Sequence, residues 1–355
     1  MKITHIEFSL ENLDLLRPYT IAYKTVSEVQ TVLVRVWGEN GLYGLGAANP
    51  SRAVVGDGPA ETFQVLQTAV FDGLLGQDIR ALRACCEWIA SRFGQHPGAQ
   101  AALDIALHDL YGQVCGLPLA QVLGQHHHRL PTSITIGIKG VEDTLAEAAE
   151  YVGRGFRHLK VKLGHAVEED VARLQALRST YGEDVHLRVD ANQGYDMETL
   201  RYFFAHTSTL GLELVEQPVQ VKTTSALRTL PEAQRLLLAA DESLRNAQDA
   251  YLLATHPIPC GIFNIKLMKC GGVYQALRIA EVARLAGIDL MWGCNDESII
   301  SIAAALHAAF ACPHTRYLDL DGSLDLARDL VQGGFVIEDG YMSLAGGPGL
   351  GVRLL

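Results

Sequence analysis

The chain has 355 residues, 48% hydrophobic and 19% charged, with a formal net charge of −11. That composition is globular and long enough for two domains. The acidic balance, without a basic run, argues against nucleic acid and anionic membranes as partners, and no stretch has the roughly 20 apolar residues of a membrane span. Residues 1–16, MKITHIEFSLENLDLL, alternate like a strand and carry Glu7, Glu11 and Asp14 where a secretory leader needs an apolar core. The seven cysteines are odd in number and lack a CxxC spacing, and read as free or buried thiols of a cytoplasmic protein.

In chain order, ITHIEFSL and TVLVRVWGENGLYGLG predict antiparallel strands around a Gly-Glu-Asn-Gly turn. GLYGLG loosely resembles a dinucleotide loop, but AANPSR follows it instead of a helix, so a hairpin is expected. ETFQVLQTAVFDGLL and AQAALDIALHDLYGQVCG have apolar positions three and four apart and predict helices. Residues 1–125 thus read as an α+β capping domain. His126, His127 and His128 fall in a solvated loop.

From 126 to 325 the rhythm changes to short apolar strands alternating with helical stretches. The strands are LPTSITIGI, HLKVKLG, VHLRVD, LELVE, RLLLAAD, GIFNIK, IDLMWGC and RYLDLD. Eight βα-like units predict an α/β fold, a (β/α)8 barrel of modified TIM type, with its last helix short or replaced. The tail, 326–355, looks β again and is expected to return to the cap.

Strands two to six end in Lys162, Asp190, Glu216, Asp241 and Lys266. One ionisable group per unit, always at the C-terminal end, matches where barrel enzymes place their chemistry. Three carboxylates converging from adjacent strands repel unless a cation lies between them, and rigid oxygen ligands suit Mg²⁺; the alternative is a salt-bridged rim with Lys160 and Lys266 as partners. Lys162 and Lys266, on strands two and six of eight, face each other across the mouth. A substrate between them meets one lysine on each face, the geometry for removing a proton from one side of a carbon and returning one to the other. A base lysine needs a pKa lowered from its usual ~10.4 toward 7. Lys160 shares a strand face with Lys162, so their repulsion is a candidate tuning device.

KVK, VDANQ, VEQP, ADES and NIKLMKCGG, in this order and spacing, resemble the enolase superfamily, muconate-lactonizing subgroup. The resemblance runs over nearly the whole chain. It implies a substrate carboxylate on Mg²⁺, abstraction of the α-proton and a metal-stabilised enediolate. It makes Lys162 and Lys266 the acid/base pair, Asp190, Glu216 and Asp241 the metal ligands, and Asn192 and Glu242 supporting groups behind them. Asp319 and Asp321, in RYLDLDG, resemble the Asp pair with which dipeptide epimerases hold a substrate ammonium, and two carboxylates at one place do call for a cation. Lys160 and Thr135 are expected to line the substrate site, and Cys294 to line the pocket rather than act as a nucleophile. Asp296, in WGCNDES, favours Lys- or Arg-containing dipeptides. Lys24, in RPYTIAYKTV, favours the Glu of an Ala-Glu substrate instead. Gly46-Ala47 departs from the family, many of whose members carry Glu after the glycine.

The expectation is therefore a Mg²⁺-dependent, homo-oligomeric dipeptide epimerase acting on the C-terminal residue and preferring cationic dipeptides. The rivals are an L-Ala-D/L-Glu epimerase, an N-acylamino acid racemase, a cycloisomerase, and a Schiff-base lyase on the same fold.

Overall fold

The computed structural model describes all residues except Ala22, Tyr23 and His165, and the side chains of 17–21 and 24–27 are likewise outside the description. The N-terminal sheet has three antiparallel strands, β1 (Ile3–Ile21), β2 (Lys24–Gly38) and β3 (Tyr43–Ala48). GLYGLG forms the hairpin between β2 and β3. Two of its glycines serve packing: a Cβ on Gly44 would lie 2.0 Å from Ala106 O, and one on Gly46 1.9 Å from Ala102 O. Both oxygens belong to the buried helix Pro97–Cys115, so the sheet can seat its backbone directly on that helix.

Eight parallel strands follow: Ile134–Ile136, His158–Lys162, His186–Asp190, Leu212–Glu216, Leu238–Ala240, Ile262–Ile265, Asp289–Gly293 and Thr315–Asp319. They pair in sequence order. The Thr132–Leu318 bridge and the 2.9 Å bond from Ser133 N to Leu318 O close the last strand onto the first, so the sheet is a barrel. Val161, Val189 and Val215 face the outer core under the helices. Leu214, Ala239, Ile262 and Met291 form a separate apolar cluster against Tyr317, filling the interior. No helix follows the eighth strand among the described residues.

Three segments differ from the sequence pattern; in LPTSITIGI only Ile134–Ile136 joins the barrel, while Leu130–Pro131 pairs with Tyr341–Leu344 of the tail. The helix expected over 61–75 is confined to Pro59–Gln67, and 71–75 turn so that Leu74 is buried. Within RLLLAAD, the first residues end a short helix, Glu232–Leu237, and only Leu238–Ala240 is strand. Arg235 explains the break: its guanidinium donates to Leu230 O and Ile258 O, which holds the turn.

The cap reaches the barrel mouth at two places. Leu16 N bonds to Asp325 O and Ala327 N to Asp14 O, both at 2.8 Å, so β1 runs beside the segment after the eighth strand. Asn49 Nδ2 donates to Asp296 O at 2.5 Å, and Asn295 Nδ2 to Asn49 O at 2.9 Å, joining the end of β3 to the loop after the seventh. The tail also meets the cap: Gly349 bonds the backbone of Leu117 and Leu119, and Leu350 N donates to Asp109. No described helix is long and apolar enough to cross a membrane.

His307, in the buried helix Ile299–Ala311, accepts the Ala120 amide at 2.9 Å through Nδ1. Burial pushes its pKa down to about 4 from an ordinary 6.5. The unfolded chain therefore binds the proton first, and stability present above pH 6.5 is lost as pH falls toward 4. The difference corresponds to about 3 kcal/mol. Urea unfolding of the parent and of His307→Asn between pH 7 and 4 checks this: the variant is less stable at pH 7 but has a shallower acid slope. Equal slopes would remove His307 from the acid response.

Candidate active site at the barrel mouth

Strand alternation puts alternate side chains on the inner wall. Lys160 and Lys162 both reach Asp190 Oδ2, at 3.3 and 2.6 Å. Lys160 is 2% exposed and also lies 2.7 Å from Glu216 Oε2 and 2.7 Å from Asp319 Oδ2. Across the mouth, Lys266 Nζ is 2.9 Å from Asp241 Oδ2 and 3.9 Å from Glu216 Oε1. Asp190, Glu216 and Asp241 are essentially inaccessible, whereas the Lys162 side chain is 29% exposed and opens toward the mouth. Asn192 N donates to Asp190 Oδ1, and Asn192 Oδ1 accepts from Lys162.

Burial and neighbouring charges set the protonation. Burial, and then the Asp190 charge, push the Glu216 carboxyl up to about 8. Burial alone would raise Asp190 too, but the Lys162 and Lys160 ammoniums bring it to about 2. Lys266 and Lys269 outweigh burial at Asp241 and hold it well below the usual range. Burial would deprotonate Lys160; Asp319, Glu216 and Asp190 instead keep it charged well above the ordinary lysine value. Lys266 is likewise raised, by Asp241 and Glu216 against burial.

The Lys160 ammonium, expected to line the substrate site, is enclosed by three carboxylates. Its charge is therefore compensated rather than aimed at Lys162, with Asp190 reaching both ammoniums. The Asp pair also divides. Asp319 is occupied by Lys160 and by Ser133 Oγ at 2.7 Å. Asp321, 8% exposed, accepts the Thr135 backbone amide at 2.8 Å, so Thr135 enters this site through its main chain. Burial and the nearby Asp319 and Asp325 charges push Asp321 up to about 7.

Glu216 Oε2, despite its ion-pair distance to Lys160, makes no hydrogen bond, and neither does the buried Glu242 Oε2. Burial, and then Asp241, raise the Glu242 carboxyl. Carboxylate oxygens without a hydrogen bond, beside Asp190 and Asp241, form a hard donor set that fits Mg²⁺. Asp296 is half-buried on the loop anchored to Asn49. Cys294 donates to Asp319 O at 3.2 Å and accepts from Gly322 N; burial raises its thiol well above the ordinary value, unlike a reactive cysteine. The Lys24 side chain lies outside the described residues.

Several contributors have no reading in the sequence above. Asn264 Nδ2 donates to Glu216 Oε1 at 2.7 Å; its place two before Lys266 put it on the same strand face. Lys269 pairs with Asp241 Oδ1 and donates to Asp241 O at 2.6 Å. Gln217 Oε1 accepts the Asp241 and Ser243 amides. Asn192 and Gln217 have φ of 43° and 31°, left-handed backbone that is uncommon outside glycine and clusters at functional sites.

At the opposite end of the barrel, His158, His186 and Glu213 bring ligand-type atoms together. There Arg188 already donates to Glu213 Oε2 at 2.7 Å and lies 3.2 Å from His158 Nδ1, so the group is a compensated ion-pair network.

Such a barrel, with acid and base groups on its strand ends and an α+β cap, defines the enolase class, and the chain belongs to it. The family described as "Mandelate racemase / muconate lactonizing enzyme, N-terminal domain" matches residues 5–124, and "Enolase C-terminal domain-like" matches 143–355. Over 352 residues the chain is 52% identical to the L-Lys-D/L-Arg epimerase of Methylococcus capsulatus, covering 99% of each chain. It is 34% identical over 358 residues to the L-Ala-D/L-Glu epimerase of Bacillus subtilis, covering 99% of this chain and 97% of that one. The crystal structure of a dipeptide epimerase from Methylococcus capsulatus complexed with Mg and the dipeptide L-Arg-D-Lys superposes with a TM-score of 0.96, at 52% identity over 99% of both chains.

Removing the Lys160 charge leaves Asp190, Glu216 and Asp319 facing one another in the interior. Lys160→Met is expected to lose about 3–5 kcal/mol of stability, read as a lower urea midpoint. A variant as stable as the parent would contradict the enclosed ion cluster.

Proposed function

We propose that the chain is a Mg²⁺-dependent dipeptide epimerase that inverts the α-carbon of the C-terminal residue and prefers Lys- or Arg-containing dipeptides. The observation that carries this reading is the placement of Lys162 and Lys266 on the second and sixth strands of an eight-stranded barrel, with Asp190, Glu216 and Asp241 between them. The similarity to L-Lys-D/L-Arg epimerases supports the substrate class.

The α-hydrogen of a carboxylate is weakly acidic, and its removal puts negative charge on both carboxylate oxygens. Asp190, Glu216 and Asp241 would hold Mg²⁺, which when bound would stabilise that charge electrostatically and offset the carboxylate charge gathered there. One lysine takes the proton from its face as the other delivers one to the opposite face. Asp321 holds the substrate ammonium, while Asp319, fixed by Lys160 and Ser133, adds its charge from behind. Asn192 orients Lys162 and Asp190, Glu242 adds carboxylate charge beside Asp241, and Asp296 faces the cationic side chain. Lys24 is the competing determinant, for an acidic side chain.

Seven free cysteines support a cytoplasmic setting.

Proton NMR in D₂O with Mg²⁺ and Ala-Glu, Ala-Lys, Lys-Lys, Arg-Lys, Leu-Leu and N-acetyl-Lys tests the reading. The C-terminal α-proton signal of the Lys and Arg dipeptides is expected to disappear, and EDTA to prevent it. Lys162→Ala and Lys266→Ala each stop epimerisation; full activity in both would end the two-lysine mechanism. Asp321→Asn should raise KM for dipeptides at least about 10-fold, the scale of one charged hydrogen bond, without affecting turnover of N-acetyl-Lys. Exchange confined to N-acetyl-Lys would instead favour an N-acylamino acid racemase.

A further inference from the structure

Beyond the groups that meet substrate, each lysine is followed by a turn held from behind by a buried aspartate. After Lys162 the chain turns at Gly164, with φ 111°. Asp170, 1% exposed in the helix Val167–Tyr181, accepts the Gly164 amide on Oδ2 at 2.9 Å and the Tyr195 hydroxyl at 2.6 Å. Its Oδ1 holds Arg173, which donates to Lys162 O at 3.0 Å. Both sides of the turn, the Lys162 carbonyl and the Gly164 amide, are thus tied to one carboxylate.

After Lys266 the chain makes one helical turn, Leu267–Cys270, and passes through Gly271 and Gly272 at φ 91° and 104°. Asp104, 2% exposed on the cap helix Pro97–Cys115, accepts the Val273 amide at 2.6 Å and the Tyr274 amide at 3.3 Å, both on Oδ1. His108 Nδ1 lies 3.2 Å from the same oxygen. The fit is close: a Cβ on Gly272 would come within 2.4 Å of Asp104 Oδ1. This turn also carries Lys269, which binds Asp241 and Asn264 O.

We infer that Asp170 and Asp104 are positioning residues, one for each proton-transfer lysine, so that the barrel sets Lys162 and the capping domain sets Lys266. This rests on the two-lysine reading. Neither aspartate touches substrate. Each fixes the backbone that aims one ammonium, and small displacements of a reacting group cost large factors in rate. Disturbing one aspartate should therefore impair proton transfer on one face of the substrate and spare the other.

The test is α-proton exchange in D₂O with Mg²⁺, measured separately for L-Arg-L-Lys and L-Arg-D-Lys. A lysine that still works exchanges the proton of the epimer it faces with retention of configuration, even when inversion fails. Asp170→Ala is expected to slow exchange of one epimer by about 10-fold or more relative to the other, and Asp104→Ala to show the opposite preference. Tyr195→Phe and Asp104→Asn, which remove less, should shift the ratio in the same two senses by smaller factors; they carry the reading if an alanine variant does not fold. Proportional slowing of both epimers in the folded variants would reduce the aspartates to general structural roles. Absence of exchange in the parent protein would overturn the two-lysine reading itself, and this inference with it.

Discussion

The site depends on one constraint: Asp190, Glu216, Asp241 and Asp319 are buried beside Lys160, Lys162, Lys266 and Lys269. Charges out of water are tolerated only when each finds a partner of opposite sign. The barrel meets this by drawing the carboxylates and ammoniums from different strands, so that no single element can satisfy them. The compensation is incomplete at Glu216, whose carboxyl rises to about 8. Its Oε2 also makes no hydrogen bond.

The same constraint separates side chains that look equivalent. Lys160 and Lys162 differ by one strand repeat, yet Lys160 is enclosed and Lys162 opens toward the mouth. Asp319 and Asp321 are also two apart; the first is held by Lys160 and Ser133, and the second is pushed up to about 7 with Thr135 N as its partner. Depth along the barrel axis decides which member of each pair is enclosed by partners and which lies nearer the mouth.

The cap contributes more than a cover. Asn49 anchors the loop of Asp296, and Asp104 holds the start of the helix after Lys266. The geometry on the Lys266 side therefore depends on contacts between the two parts of the chain.

The amino-acid sequence by itself determined the barrel, the rank of ionisable strand ends and the choice of Asp190, Glu216 and Asp241 as a cluster, because these follow from periods of two and 3.6 and from one charge per unit. Asn264 was within reach of the same parity rule, two residues before Lys266. The short helix at Glu232–Leu237 was hidden because an apolar run does not reveal its period when Arg235 fixes it through distant carbonyls. Asp104 and Asp170 read only as polar positions on helices, and the occupation of Asp319 by Lys160 joins residues 159 apart in the chain. Those pairings belong to tertiary structure alone, because the partner of a buried charge is chosen by barrel closure and depth, which no local pattern records.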